Sequence, residues 1–275
     1  MKIGFLTNSL RELSFEEIAK WAVDNGFEFL EVGPHVPADA KLFRKVIDET
    51  GVKVIGLIFC RNFQDKNESV RKRLREELTR RIELACEMGF EFMTISTGID
   101  EEKSFHENVE LFKEFITPII EKCEDCNLKI ALENCPDMGN IATSPYRWEE
   151  IFKAVGSKHL GLCYDPSHLV RLFIDPYKPI AKFADRIFYV HVKDTEIDEE
   201  KLRWMGTVEA RGWWRYRLAG YGIIDWNKLI LSLRDAGFDG YLSIEHEDPV
   251  WHGSVDKVKR ALVYVKSYLK KLPSF

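Results

Sequence analysis

Short apolar runs alternate along the chain with longer stretches in which apolar residues recur at helical spacing. The runs Ile3 to Thr7, Phe29 to Val32, Val54 to Phe59, Phe92 to Ser96, Lys129 to Glu133, Leu160 to Tyr164, Ile187 to Val192 and Leu242 to Glu245 have the length and hydrophobicity of buried strands. Between them "SFEEIAKWAVDNG", "ADAKLFRKVIDETG", "SVRKRLREELTRRIELACEMG", "ENVELFKEFITPIIEKCEDC", "SPYRWEEIFKAVG", "YKPIAKFAD", "DWNKLILSLRDAG" and "SVDKVKRALVYVKSYLKK" carry the period of amphipathic helices. Ser14 with Glu17 has the spacing of a capping box, and glycines at 26, 51, 89, 156 and 237 stand where helices should stop. Strict alternation calls for a parallel sheet, and eight repeats favour an α/β fold closed into a (β/α)8 TIM barrel over an open doubly wound sheet.

Composition bounds this picture without changing it. The 275 residues are 45% hydrophobic and 31% charged, enough for a large core, and we expect one barrel domain over residues 1–275. A formal net charge of -5 gives no basic field for a nucleic-acid backbone, so small-molecule chemistry is expected. "MKIGFLTNS" reads as a buried strand and not as a signal peptide, and no window is long and apolar enough to span a membrane, which leaves a cytoplasmic location as the expectation. The six cysteines, at 60, 86, 123, 126, 135 and 163, lie mostly in apolar runs and read as reduced core residues. Cys123 and Cys126 form a CxxC late in a helical pattern, with no second pair at zinc-ribbon spacing. The run "RKRLREELTRR" mixes signs at helical spacing and reads as a solvated helix face. No GxGxxG follows the first strand and no GxxxxGK[ST] occurs, which removes the main support for dinucleotide and P-loop readings.

Residues 191–222, "HVKDTEIDEEKLRWMGTVEARGWWRYRLAGYG", have no clean period and read as a long loop, with a lid over about 195–222. Its tryptophans suit the apolar face of a sugar ring, and its arginines suit a carboxylate or phosphate. The same exposed tryptophans make a homo-oligomer a reasonable expectation.

Candidate chemistry sits where a parallel barrel puts it, at the C-terminal strand ends. Strand five ends "ALEN" with Glu133, strand six "CYDPSH" with Asp165, strand seven "YVHVKD" with His191 and strand eight "LSIEHE" with Glu245. Adjacent strands are about 4.8 Å apart, so inward side chains at matching heights can converge on one cation. Two residues earlier stand Ala131, Cys163, Tyr189 and Ser243, mostly small, which leaves room. One carboxylate at a strand end can simply cap a helix or pair with a lysine; four ligands on successive strands point to a metal. Three carboxylates and one imidazole form an oxygen-rich site, for which Mn2+ leads, with Mg2+, Co2+ or Zn2+ open.

From "WAVDNGFEFLEVG" through "LENCP", "DPSHL" and "HVKD" to "GYGIIDWNKLILSLRDAGFDGYLSIEHEDP", the chain resembles the sugar isomerase/epimerase superfamily with the xylose isomerase-like barrel. The D-tagatose 3-epimerase and inosose dehydratase groups belong to it, with endonuclease IV more distant. The resemblance implies Glu133, Asp165, His191 and Glu245 as metal ligands and His168 facing the substrate. It also implies a substrate arginine after strand seven, at Arg217 or, the loop being longer here, at Arg215. Where epimerases carry a second glutamate six residues beyond Glu133, this chain has Gly139. Lys193, beside the His191 ligand, and His35 in "EVGPHVP" face the same mouth and are candidate substrate contacts.

Such a site suggests proton transfer next to a carbonyl through an ene-diolate, with Glu133 and Glu245 as the two bases on opposite faces of the substrate. The expected enzyme is therefore a metal-dependent sugar isomerase or epimerase. A keto-polyol (inosose-type) dehydratase begins with the same step and is the alternative. An endonuclease IV-like nuclease needs extra histidines after strand seven, and none occurs from 192 to 245. A non-catalytic sugar-binding barrel is the remaining reading.

Overall fold

The computed structural model describes residues 1–275. Its strands, in chain order, are β1 (Lys2–Leu6), β2 (Leu30–Val32), β3 (Val54–Ile58), β4 (Phe92–Ile95), β5 (Lys129–Glu133), β6 (Leu160–Tyr164), β7 (Ile187–Val192), β8 (Asp194–Ile197), β9 (Trp214–Arg217) and β10 (Tyr241–Ile244). All except β8 and β9 pair in parallel in the order β1-β10-β7-β6-β5-β4-β3-β2, and β2 returns to β1, closing the barrel. The expected closure over an open sheet is therefore what forms.

The α-helices are α1 (Phe15–Asp24), α2 (Ala40–Thr50), α3 (Glu68–Met88), α4 (Phe105–Asp125), α5 (Pro145–Val155), α6 (Pro166–Arg171), α7 (Lys178–Lys182), α8 (Glu199–Met205), α9 (Trp226–Asp235) and α10 (Val255–Lys270). Every one but α7 starts behind a Ser, Asp or Asn whose side chain accepts a backbone N–H of the first turn. Ser14 and Glu17 form the expected capping box, and Ser104 with Glu107 forms a second. Gly51, Gly89 and Gly156 cap α2, α3 and α5 in the left-handed conformation that ends a helix.

Most buried apolar side chains lie between sheet and helices. The barrel interior is filled separately, by Phe29, Ile55, Phe92, Ala131, Cys163 and Tyr189 in mutual contact. That filling leaves the open space at the rim, where the βα loops gather. No helix is long and apolar enough to cross a membrane.

Two expectations need correction. The stretch after His191 is not one irregular loop: β8 and β9 pair antiparallel, Asp194 opposite Arg217 and Ile197 opposite Trp214, with α8 between them. Their sequences "DTEI" and "WRYR" are too polar to announce a strand, because this ribbon is covered on one side only. Nor are all cysteines reduced, since Cys86 near the end of α3 and Cys126 at the cap of α4 are joined in a disulfide. Cys60, Cys123 and Cys163 are free and buried, and Cys135 is free and half-buried.

Candidate active site

Glu133 ends β5, Asp165 follows β6, His191 lies one residue before the end of β7, and Glu245 follows β10. These strands are consecutive round the barrel, so the four side chains meet on one arc of the rim. His191 Nδ1 stands 3.3 Å from Glu133 Oε1 and 3.2 Å from Glu245 Oε2. Asp165 divides its two oxygens. Its Oδ1 accepts the Ser167 N–H at 2.8 Å, capping α6, while Oδ2 turns into the site 3.3 Å from His168 Nε2. Asn134 fixes this turn by accepting from Asp165 N and donating to Asp165 O, both at 2.8 Å.

Lys193 lies in the middle of the acids although its side chain is 1% exposed. Its Nζ donates to Glu245 Oε2 at 2.6 Å and Glu247 Oε2 at 3.0 Å, and it stands 3.1 Å from Asp165 Oδ2 and 3.3 Å from His168 Nε2. Burial disfavours its charge, but Asp165, Glu245 and Glu247 outweigh that and raise its pKa well above the ordinary lysine value. Burial likewise opposes ionisation of Glu245, yet Lys193 and His191 hold its carboxyl at about 2. Glu133 is carried well below the carboxylate range against its own desolvation by hydrogen bonding with His168 and His191. His168 is raised well above the imidazole range, Asp165 overcoming both burial and the neighbouring ammonium. Glu133 and Glu245 are thus ionised, held beside the buried cations of Lys193 and His168.

The ligand atoms of Glu133, Asp165, His168 and Glu245 all lie within 4.8 Å of one another. His191 competes for the imidazole place, and the two rings differ in what their nitrogens already hold. His168 Nδ1 is hydrogen-bonded to Tyr216 OH at 2.7 Å and its Nε2 faces Lys193. His191 Nδ1 and Asp165 Oδ2, both buried, make no well-formed hydrogen bond: Nδ1 has only the Glu133 and Glu245 carboxylates at 3.3 and 3.2 Å, and Oδ2 only the ion-pair contacts of Lys193 and His168 at 3.1 and 3.3 Å. Buried polar atoms normally find well-formed partners, so two that rely on ion-pair contacts alone, in a cluster of anionic oxygens, fit a divalent cation.

The other expected contacts are placed differently. A cavity of 300 Å³ over the cluster is lined by Lys193, His168 and Tyr216, with Arg61 and Arg211 at its edge. It shares Asn8, Pro34, Arg61, Glu245 and Glu247 with a neighbouring cavity of 670 Å³ that contains His35, whose Nδ1 is 3.2 Å from Asn8 Oδ1. Arg217 is not among the lining residues. Its guanidinium is engaged by Asp248 Oδ2 at 2.9 Å and by Glu196, and Arg215 also pairs with Glu196, at 2.7 Å. These arginines fasten the ribbon. The ribbon's contact with the cluster is Tyr216, whose OH also accepts from Arg171 at 3.2 Å, Arg171 being paired with Asp137.

Glu31 escaped the sequence reading. It lies on β2, across the barrel from β7, is 1% exposed, and accepts from His191 Nε2 at 2.9 Å, Tyr189 OH at 2.5 Å and Ser243 Oγ at 2.7 Å. The signal was present: a lone acid inside the buried strand "FLEV" must have partners there.

The chain matches the xylose isomerase-like TIM barrel family over residues 19–268. The uncharacterised protein MJ1311 of Methanocaldococcus jannaschii is 29% identical to it, across 90% of this chain and 84% of that protein. Inosose dehydratase of Geobacillus thermodenitrificans is 22% identical, across 93% and 90%. Among solved structures, the IolI protein with a binding zinc atom superimposes over 100% of both chains with a TM-score of 0.79 at 18% identity. A D-tagatose 3-epimerase-like protein does so over 98% of this chain and 99% of its own, with a TM-score of 0.71 at 24% identity.

Proposed function

Since the chain belongs to the xylose isomerase-like TIM barrel family, we propose that it is a divalent-metal-dependent sugar isomerase or epimerase that moves a proton next to a carbonyl. The observation that carries this reading is the convergence of ligand atoms from Glu133, Asp165, Glu245 and the neighbouring imidazoles on one arc of the rim, with the buried His191 Nδ1 and Asp165 Oδ2 lacking a well-formed hydrogen bond there. Glu133, Asp165, His191 and Glu245 would hold the cation, with Mn2+ assigned first because the donor set is hard and oxygen-rich. A divalent metal at this place is in keeping with relatives: the IolI structure holds zinc, and the relatives with solved structures include a D-psicose 3-epimerase in the presence of D-fructose. A bound divalent ion supplies Lewis-acid polarisation of the substrate carbonyl, which eases loss of a proton from the adjacent carbon.

The residues divide the remaining work. Glu133 and Glu245 approach from the two ends of the arc, so one carboxylate takes the proton from one face and the other returns one from the opposite face. Their depressed pKa values keep both in the carboxylate form. His168, held by Tyr216, and Lys193 face the cavity and are the groups that would bind substrate oxygens. Tyr216 of the ribbon lines the cavity, and cover from that side would keep water from the reacting carbon.

A keto-polyol dehydratase is the second reading, favoured by the buried ammonium of Lys193 and the phenol of Tyr216, which could give a proton to a departing hydroxyl. One experiment tests both: ketoses, aldoses, uronates and keto-inositols are incubated in D2O with the Mn2+-loaded protein. Deuterium on the carbon beside the carbonyl supports proton transfer, a new epimer or isomer supports the first reading, and an unsaturated ketone supports the second. No incorporation in any class removes both.

A further inference from the structure

Glu31 collects three polar contacts inside the barrel, and their directions can be worked out. Tyr189 OH stands 2.5 Å from Glu31 Oε1, and Ser243 Oγ and His191 Nε2 stand 2.7 and 2.9 Å from Oε2. The Tyr189 and Ser243 hydroxyls donate to the carboxylate oxygens, and the His191 Nε2 contact is satisfied when that nitrogen donates as well. Tyr189, having given its proton to Glu31, must accept at its oxygen, and Thr94 Oγ1 is 2.5 Å from it. The chain therefore runs one way, from Thr94 through Tyr189 to Glu31, with Ser243 and His191 joining at the carboxylate. In that arrangement His191 Nε2 carries hydrogen, and the lone pair of the neutral ring is on Nδ1. That nitrogen makes no well-formed hydrogen bond and stands 3.3 and 3.2 Å from the Glu133 and Glu245 carboxylates.

We infer that Glu31 is a positioning residue for the metal site, which fixes the tautomer and the ring orientation of His191 so that Nδ1 is presented to the cation. This rests on the metal-site reading above and adds to it a residue on the opposite side of the barrel. A flipped ring would turn a C–H toward Glu31 Oε2 and leave that oxygen with Ser243 alone, so the wrong orientation is disfavoured from below. The placement also explains an acid on a strand that is buried throughout. Partners of this kind contribute about 10- to 100-fold to metal affinity.

The test measures Mn2+ binding to the metal-free full-length protein by electron paramagnetic resonance, for the parent, Glu31→Gln, Ser243→Ala and His191→Ala. Glu31→Gln keeps the shape but puts an amide among three donors, and the expected loss in affinity is about 10- to 100-fold. Ser243→Ala removes one donor, leaves the contact with His191 intact, and should change affinity far less. A structural role alone would not move the second readout, the 15N spectrum of labelled histidine in the Zn2+-loaded parent, which needs no variant to fold. His191 should appear protonated at Nε2 and metal-shifted at Nδ1. Coordination through Nε2, or parent-like Mn2+ affinity in Glu31→Gln while His191→Ala is weakened, overturns the inference and leaves the metal site standing. Parent-like affinity in His191→Ala overturns the metal-site reading and this inference with it.

Discussion

Replacing Asp194 by alanine should detach the ribbon from the barrel. Asp194 opens β8 and is fully buried, and its carboxylate collects four donors. Oδ1 accepts from Thr195 N at 2.8 Å and Ile224 N at 3.1 Å; Oδ2 accepts from Gly220 N at 3.2 Å and from the Trp226 indole at 2.9 Å. The chain from 220 to 226 wraps the carboxylate so closely that a Cβ on Gly222 would lie 2.1 Å from Oδ1. Burial raises the pKa of Asp194 even against these four hydrogen bonds, so some desolvation cost is recovered when the acid is removed. Leaving three buried donors and the part-buried Gly220 N–H without an acceptor costs about 1 kcal/mol for each buried one at the low end of the usual range and less for Gly220, and the recovered desolvation takes back part of it, so the net loss is roughly 2 to 3 kcal/mol. Urea unfolding measures the total. Hydrogen exchange locates it: amides of 213–226 should lose protection while those of β5 and β6 keep theirs. A loss under about 1 kcal/mol with unchanged protection of 213–226 would refute the argument that this carboxylate fastens the ribbon.

Asp165→Asn and His191→Ala should bind far less divalent metal, by elemental analysis after dialysis, while keeping the far-ultraviolet circular dichroism of the parent, since both side chains sit at the rim. Tyr216→Phe removes one hydrogen bond to His168 and should lower kcat/KM by about 5- to 10-fold, the equivalent of about 1 kcal/mol, without changing metal content; unchanged kinetics would reduce Tyr216 to packing.

Much of the barrel was legible because buried parallel strands are continuous apolar runs. β5, β6 and β7 span the residues their hydrophobicity predicts, and the ligands fall where a barrel places chemistry. The ribbon was not legible, because α8 buries no residue and β8 and β9 are held by Asp194, Asp248 and Glu196 rather than by an apolar face. Helix α6 was hidden by its brevity in "DPSHLVR", although its cap, Asp165, was already under scrutiny as a ligand. Arg217 pointed to substrate by its type and place along the chain, but ion pairs depend on which acids the fold brings near, and Asp248 comes from the loop after β10. The Cys86–Cys126 pairing was likewise out of reach, because forty residues separate the two and only the packing of the helices brings them together.

The central claim is that Glu133 and Glu245 each handle one proton on opposite faces of the substrate. It is tested most directly by solvent-deuterium exchange on both epimers of the active ketose, using Mn2+-loaded Glu133→Gln and Glu245→Gln. Each variant retains an oxygen ligand and loses its base, so net turnover should fall at least 10²-fold. One variant should stop exchange from one epimer and still exchange the other, and the second variant should show the reverse pattern. Near-normal exchange from both epimers in either metal-loaded variant would contradict the two-carboxylate account.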